Sequence, residues 1–174
     1  MSPRAGGLFV GRLAAENGIG ILAEALDLYP GARIDVIGTG PGEARLVGLP
    51  CIRVLGRVGP AEVQERMRAA AYLVLPSLSY DALPRPLVEA FANELPVIAS
   101  RIGRLAEMVE PGRNGLLFEA GSARELARRL AWAEAFPEKM RQMGECAKAD
   151  YQARFLADWS YHRLFGERRR AARV

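Results

Sequence analysis

The chain has 174 residues, half of them hydrophobic, and a formal net charge of +4 at pH 7. This length suits one α/β domain with a sizeable core and is too short for two. Two cysteines far apart in sequence, without a CxxC motif, and a single histidine argue against a disulfide framework, a Cys/His metal site and any metal cofactor. A cytoplasmic protein with reduced thiols is the simplest expectation.

Strand-like and helix-like segments alternate along most of the chain. Short apolar runs predict strands at 7–11, 33–38, 52–55, 72–75, 96–99 and 115–118. Apolar residues at helical spacing predict helices at 18–28, from Pro60, at 86–93, after Ser122 and from Pro137 onward. This alternation is typical of βαβ units, so the expected fold is an α/β domain built on a parallel sheet.

The two ends differ in composition from this body. Residues 1–7 are short and polar, and we expect the remnant of an interdomain linker; residues 8–150 form the domain, and residues 151–174 a helix with a basic tail. That tail carries Arg163 and four further arginines between Arg168 and Arg173. A solvated tail is the first interpretation, and weak contact with a membrane surface is the second. Neither charge nor motif predicts a nucleic-acid partner.

Two carboxylates flank the start of the helix that follows strand 72–75. Asp81 lies in the loop beyond the strand, and Glu89 lies in the early turns of a helix that Pro84 and Pro86 favour. In an open α/β sheet, ligands bind beyond the carboxyl ends of the strands, and a helix N-terminus attracts anions. These residues could therefore hold hydroxyls and a phosphate, although two solvated surface acids are an equally acceptable interpretation.

Glycines and arginines follow the first three predicted strands. Gly11 and Arg12 end the first strand, Gly38 and Gly40 follow the second, and Arg57 follows the third. A guanidinium suits phosphate oxygens, and glycines permit close backbone approach to a ligand, but a surface arginine and tight turns explain the same residues. The glycines do not complete the dinucleotide-binding pattern G-x-G-x-x-G, which disfavours an oxidoreductase domain.

In chain order these segments resemble a known family. The residues that carry the resemblance are Phe9-Val-Gly-Arg-Leu13, Ile37-Gly-Thr-Gly-Pro41, Leu55-Gly-Arg-Val58, the acids Asp81 and Glu89 with seven residues between them, Leu95-Pro-Val-Ile-Ala-Ser100, Glu107 and Gly112-Arg-Asn-Gly-Leu-Leu117. The order is similar to that of the C-terminal, donor-binding half of retaining glycosyltransferases of the GT-B fold, called group 1 or family 4. The resemblance covers about residues 8 to 165 and implies a Rossmann-like parallel sheet with helices on both faces, followed by a C-terminal helical extension.

The resemblance also implies roles for individual residues. Arg12, Asp81 and Glu89 would act in catalysis: Arg12 on the departing phosphate, Asp81 on the donor sugar and Glu89 on the ribose. Donor-binding residues would be Gly11, Asn17, Gly38, Gly40, Arg57, Val58, Arg85, Leu87 and Val88, with the amides near Arg85 to Val88 meeting the diphosphate. The donor would be a UDP- or GDP-type nucleotide sugar, and charge stabilisation of its leaving group would replace a metal ion.

Departures from the family pattern leave a second interpretation open. Asn17 stands where the family usually has lysine, Asp81 where it has glutamate, and Ala82, Leu83 and Arg104 where it has glycine. Such changes would suit altered donor choice, weak activity, or a non-catalytic module used for interactions. The family's acceptor-binding N-terminal domain would have to be supplied in cis or in trans, so we expect the isolated half to be inactive in transfer.

Overall fold

The computed structural model describes residues 4–80 and 84–154, and Asp81, His162 and the basic tail lie outside them. The strands are β1 Gly7–Val10, β2 Ile34–Ile37, β3 Ile52–Gly56, β4 Tyr72–Leu75, β5 Val97–Ser100 and β6 Gly115–Phe118. The helices are α1 Ile19–Leu28, α2 Pro60–Ala69, α3 Arg85–Ala92, α4 Gly103–Met108, α5 Ala123–Ala135 and α6 Pro137–Arg154. Two 3-10 segments, Ala15–Asn17 and Pro41–Leu46, follow β1 and β2.

All six strands run parallel in one sheet, in the order β3-β2-β1-β4-β5-β6. The predicted parallel sheet is thus confirmed, with each strand within one or two residues of its expected position. The chain moves outward from β1 through β2 to β3, and then returns to place β4 on the other side of β1. The point between β1 and β4 is therefore the topological switch point, where the loops leaving the sheet diverge.

Both faces of the sheet are buried, which explains the uninterrupted apolar runs in the sequence. Phe9, Val74 and Ile98 point to a core shared with α1 and α5, whereas the alternating residues Leu8 and Leu73 point to a second core. This second core is shared with α2, α3 and α4, so helices cover both faces as expected. Helix α4 is not predicted from the sequence, because six residues are too few to show a 3.6-residue period.

Helix α6 packs against α3, α5 and β6. Its residues Met140, Met143 and Ala147 are all buried. The helix continues through Arg154, so the expected boundary between residues 150 and 151 falls inside it. None of the helices in the described part of the chain combines the length and the apolar character needed to cross a bilayer.

Candidate functional site

The loop after β1 carries three of the expected site residues, Gly11, Arg12 and Asn17. The side-chain amide Nδ2 of Asn17 donates a hydrogen bond to the backbone carbonyl of Arg12 at 2.9 Å. The Arg12 side chain is 68% exposed, and its Nη1 lies 3.7 Å from Oε1 of Glu16. Asn17 therefore shapes the loop that presents Arg12, a structural role that its sequence position did not indicate.

Close backbone contacts hold the neighbouring loops together. A Cβ atom added to Gly38 would lie 1.8 Å from the backbone oxygen of Gly11, and one added to Gly40 would lie 2.4 Å from that of Leu13. Gly38 also has a φ of 143°. The close approach that these two glycines permit in the structure is to the loop after β1. The glycines thus bring the first two loops into contact.

The loop after β4, on the other side of the switch point, also contacts the loop after β1. The amide of Leu78 donates to the backbone carbonyl of Glu16 at 2.8 Å. A Cβ atom on Gly18, where φ is 75°, would lie 1.8 Å from the carbonyl oxygen of Pro76. The described parts of the loops after β1, β2 and β4 are therefore in contact and form one rim at the carboxyl edge of the sheet.

A depression of about 500 Å³ lies on the β2 and β3 side of this rim. Its lining includes six of the expected site residues, which come from the loops after three different strands: Gly11, Arg12, Gly38, Gly40, Arg57 and Val58. Arg57 is exposed and Val58 is half-buried against the second core. The structure thus brings together residues that lie up to 47 positions apart in sequence.

A second, smaller cavity of about 210 Å³ lies on the β4 side and shares Val10 and Gly11 with the depression. Asn17 and Ser77 are its polar lining residues, and Pro84 and Pro86 line it from the start of α3. The two spaces meet at the end of β1, next to the switch point. One space extends toward the loop after β3 and the other toward the N-terminus of α3, and we call the two together the groove.

Two of the expected amide donors of α3 are already paired. The backbone N–H groups of Leu87 and Val88 donate to the carbonyl of Pro84 at 3.0 and 3.3 Å. Arg85 is exposed, whereas the Leu87 side chain is fully buried. A diphosphate could use these two amides only by sharing or replacing the bonds to Pro84.

Glu89 lies in the second turn of α3 and is half-buried. Its side chain lines neither the 500 Å³ depression nor the 210 Å³ cavity. Its expected partner Asp81 lies outside the described residues. The roles of both carboxylates therefore remain predictions. By contrast, the loops that carry Arg12, Gly38 and Arg57 line the same depression.

Several lining residues were not singled out from the sequence. Thr39 lies inside the glycine-rich run and could have been identified with Gly38 and Gly40, since it is the one hydroxyl in that turn. Ser77 lies two residues after the end of β4, and its position beyond the carboxyl end of a central strand is a usable signal. Val10 and Val63 also line the depression, but nothing distinguishes them from core valines in the sequence.

Another depression, of about 450 Å³, lies at the opposite, amino edge of the sheet. Asp35 lies in its wall and binds Arg53 through two hydrogen bonds and Arg66 at 3.4 Å. None of the expected site residues within the described ranges lines it. Within residues 4–80 and 84–154, no three His, Cys, Asp or Glu side chains gather in a way that could hold a metal ion.

The chain is similar in sequence to known glycosyltransferases. The model of the glycosyl transferases group 1 family matches residues 5–134. An uncharacterized glycosyltransferase of Methanocaldococcus jannaschii is 34% identical over 148 residues, which cover 82% of this chain and 42% of the relative.

Solved structures show the same fold. Sucrose-phosphate synthase from Thermosynechococcus elongatus matches with a TM-score of 0.80 and 26% identity, over 94% of this chain and 46% of that one. HepE from Anabaena, in complex with UDP, matches with a TM-score of 0.77 and 25% identity, over 87% of this chain and 45% of that one. The chain thus spans less than half the length of each of these three proteins.

Proposed function

The chain belongs to the group 1 glycosyltransferases and has the fold of one Rossmann-like half of a GT-B enzyme; from this premise we propose that it binds the nucleotide-diphospho-sugar donor of a retaining glycosyltransferase. The donor is of the UDP or GDP type. A metal ion is not required in this proposal, because Arg12 supplies positive charge to the departing phosphate.

The observation that carries the proposal is the groove at the switch point. Six residues named from the sequence line its larger part, and Asn17 lines the smaller part. About 500 Å³ is within the range of small-molecule sites, and open α/β sheets bind ligands at this position. UDP in the similar protein HepE supports a nucleotide as the ligand.

The proposed roles follow the geometry of the rim. The base and ribose occupy the depression between Gly38 and Arg57, and the diphosphate extends past Gly11 toward the start of α3. Arg12 lies on this path and is exposed enough to reach it. Glu89 binds the ribose hydroxyls and Asp81 those of the sugar, which requires Glu89 to turn toward the depression when the donor binds.

Transfer needs an acceptor, and we propose that a second, N-terminal domain provides its site in cis or in trans. The carboxyl edge of the sheet would face that domain, with the donor between them. By itself the half described here would bind donor without transferring the sugar.

Cys51 and Cys146 are both free thiols, in keeping with a reducing cytoplasmic compartment.

Calorimetric titration of the chain with UDP, GDP and ADP tests this proposal. We expect UDP or GDP to bind, and Glu89→Ala to weaken that binding more than Asp81→Ala, because every nucleotide donor contains the ribose. Glu65→Ala, which removes an exposed acid from α2, is the matched control and should bind as the wild type does. Absence of binding by all three nucleotides at millimolar concentration would sink the proposal.

A non-catalytic module used for interactions is the second candidate. The observation that favours it is the loop after β1, where Arg12 is paired with Glu16 and the amide of Asn17 is engaged with the backbone. The double variant Asn17→Lys and Asp81→Glu, assayed in the presence of an acceptor domain, distinguishes the enzyme from the module. A gain in donor binding or turnover supports the enzyme, and no gain supports the module.

A further inference from the structure

The carboxylate of Glu16 is paired with Arg12, the cation that would bind the diphosphate of the proposed donor. Nη1 of Arg12 lies 3.7 Å from Oε1 of Glu16, and the two side chains are 68% and 52% exposed. Resting on the proposed function, we infer that Glu16 competes with the donor's diphosphate for Arg12 and so lowers the affinity of the site for phosphate-bearing ligands. Glu16 is then an affinity-setting residue of the donor site.

The backbones that carry the pair are held in place. The carbonyl of Arg12 accepts hydrogen bonds from Asn17 Nδ2 at 2.9 Å and from the Ala14 amide at 3.0 Å. The carbonyl of Glu16 accepts one from the Leu78 amide at 2.8 Å. Because both main chains are anchored, exchange of partners involves the two exposed side chains and leaves the rim intact.

The position of Arg12 gives it access to both partners. Arg12 is part of the wall of the 500 Å³ depression, whereas Glu16 lines neither of the two spaces of the groove. Glu16 can therefore reach the guanidinium from outside the groove while a ligand reaches it from inside. A diphosphate offers several charged oxygens in place of one carboxylate, and charge-assisted hydrogen bonds to phosphate are strong.

The strength of the Arg12–Glu16 pair makes exchange feasible. Exposed ion pairs contribute little, and salt screens them further. A diphosphate bound to Arg12 would also lie near the displaced carboxylate of Glu16, and this repulsion would persist in the complex. Removing the charge of Glu16 should thus favour the bound state twice, by freeing Arg12 and by removing the repulsion.

The test compares Glu16→Gln with the wild type by calorimetric titration with UDP and with uridine, and in parallel with GDP and guanosine. Glutamine keeps the length and the backbone contacts of Glu16. We expect the variant to bind the diphosphate about two- to fivefold more tightly at low salt, the range for an exposed ion pair. Binding of the nucleoside should not change, and the gain should shrink in 0.5 M NaCl, roughly as screening predicts.

Glu43→Gln is the matched control, since Glu43 is an exposed acid of the 3-10 segment at the same edge of the sheet. It changes the net charge equally and should give a smaller gain. An equal gain in the control, an equal gain for the nucleoside, or unchanged diphosphate affinity overturns the inference. Weaker diphosphate binding in Glu16→Gln also overturns it and shows that Glu16 positions Arg12. If the wild type binds neither UDP nor GDP, both this inference and the proposed function fail.

Discussion

Two nitrogens of the Arg113 guanidinium donate to the buried carboxylate of Asp150, at 2.6 Å to Oδ2 and 2.8 Å to Oδ1. Nδ2 of Asn114 donates to the same Oδ2 at 2.8 Å. These bonds tie α6 to the loop before β6, and through Asn114 to the Glu110 amide, which donates to Asn114 Oδ1 at 2.8 Å. The segment 112–117, recognised in the sequence by its similarity to a family motif, thus contributes to stability by anchoring α6.

Asp150→Ala should lower the free energy of unfolding by about 2–3 kcal/mol, because it leaves Arg113 and the buried Asn114 without their acceptor. The cost is smaller than for a fully buried pair because the Arg113 side chain is 40% exposed. Urea denaturation followed by circular dichroism measures the change. Glu107→Ala, which breaks the exposed pair between Glu107 and Arg104, should cost less than about 0.5 kcal/mol. Equal costs for the two variants would show that the Asp150 network stabilises the fold no more than an exposed ion pair does.

The same network predicts a dependence of stability on pH. Hydrogen bonds from Arg113, and secondarily from Asn114, hold the pKa of Asp150 below its ordinary value despite burial. A depressed folded-state pKa stabilises the protein fully above the unfolded pKa, and this contribution disappears as pH falls through the folded value. The stability difference between wild type and Asp150→Asn should therefore be constant near pH 7 and shrink from about pH 4 downward. A difference that stays constant to pH 2.5 would contradict this assignment.

Glu94 is a site where a substitution should stabilise the fold. It follows the C-terminus of α3 with a φ of 56°, and the amides of Glu94 and Leu95 donate to the carbonyls of Phe91 and Ala90 in a Schellman pattern. Glycine adopts this conformation without the steric cost of a side chain. Glu94→Gly should raise the free energy of unfolding by about 1 kcal/mol, or the Tm by about 2–4 °C. Glu94→Ala keeps the Cβ and should give no such gain.

Gly38→Ala should damage the rim itself. Its Cβ would lie 1.8 Å from the backbone oxygen of Gly11, so one of the two loops must move. We expect loss of nucleotide binding and a cost of about 3 kcal/mol in stability, since packed backbones cannot yield at low cost. Calorimetric titration with UDP and thermal unfolding measure the two effects.

Gly48→Ala is the control for this variant. Gly48 also has a positive φ, of 87°, but no atom lies within 4 Å of an added Cβ. It should cost about 1 kcal/mol through backbone strain alone and leave nucleotide binding unchanged. Similar losses in both variants would mean that the contact between Gly38 and Gly11 is not what supports the site.

Most of the fold could be predicted because it depends on local patterns. Buried parallel strands such as Tyr72–Leu75 and Gly115–Phe118 appear as short apolar runs and were predicted at their observed bounds. Proline at Pro60 and Pro137 marked two helix starts correctly. The six-residue α4 and the two 3-10 segments were missed, because their few residues show neither a period nor a distinctive boundary.

The candidate site was predicted as a set of residues, and less well as a set of roles. Gly38 and Gly40 were expected to permit close approach, and the structure shows that the approached partner is the loop after β1. Asn17 is predicted to contact donor, which stays a prediction, and the structure adds that its side-chain amide bonds to the Arg12 backbone. Such differences arise because a residue's type limits what it can bind, while its neighbours in space determine what it does bind.

The order of strands and helices, the family, and the residue types available to hold a phosphate can be inferred from the sequence, since all three depend on pattern along the chain. Which of those residues meet depends on the tertiary structure. It placed Arg12, Gly38 and Arg57 around one depression, paired Arg12 with Glu16, and left the Glu89 side chain outside both spaces of the groove. These relationships depend on the strand order across the sheet and on packing between loops distant in sequence, which local propensities do not specify.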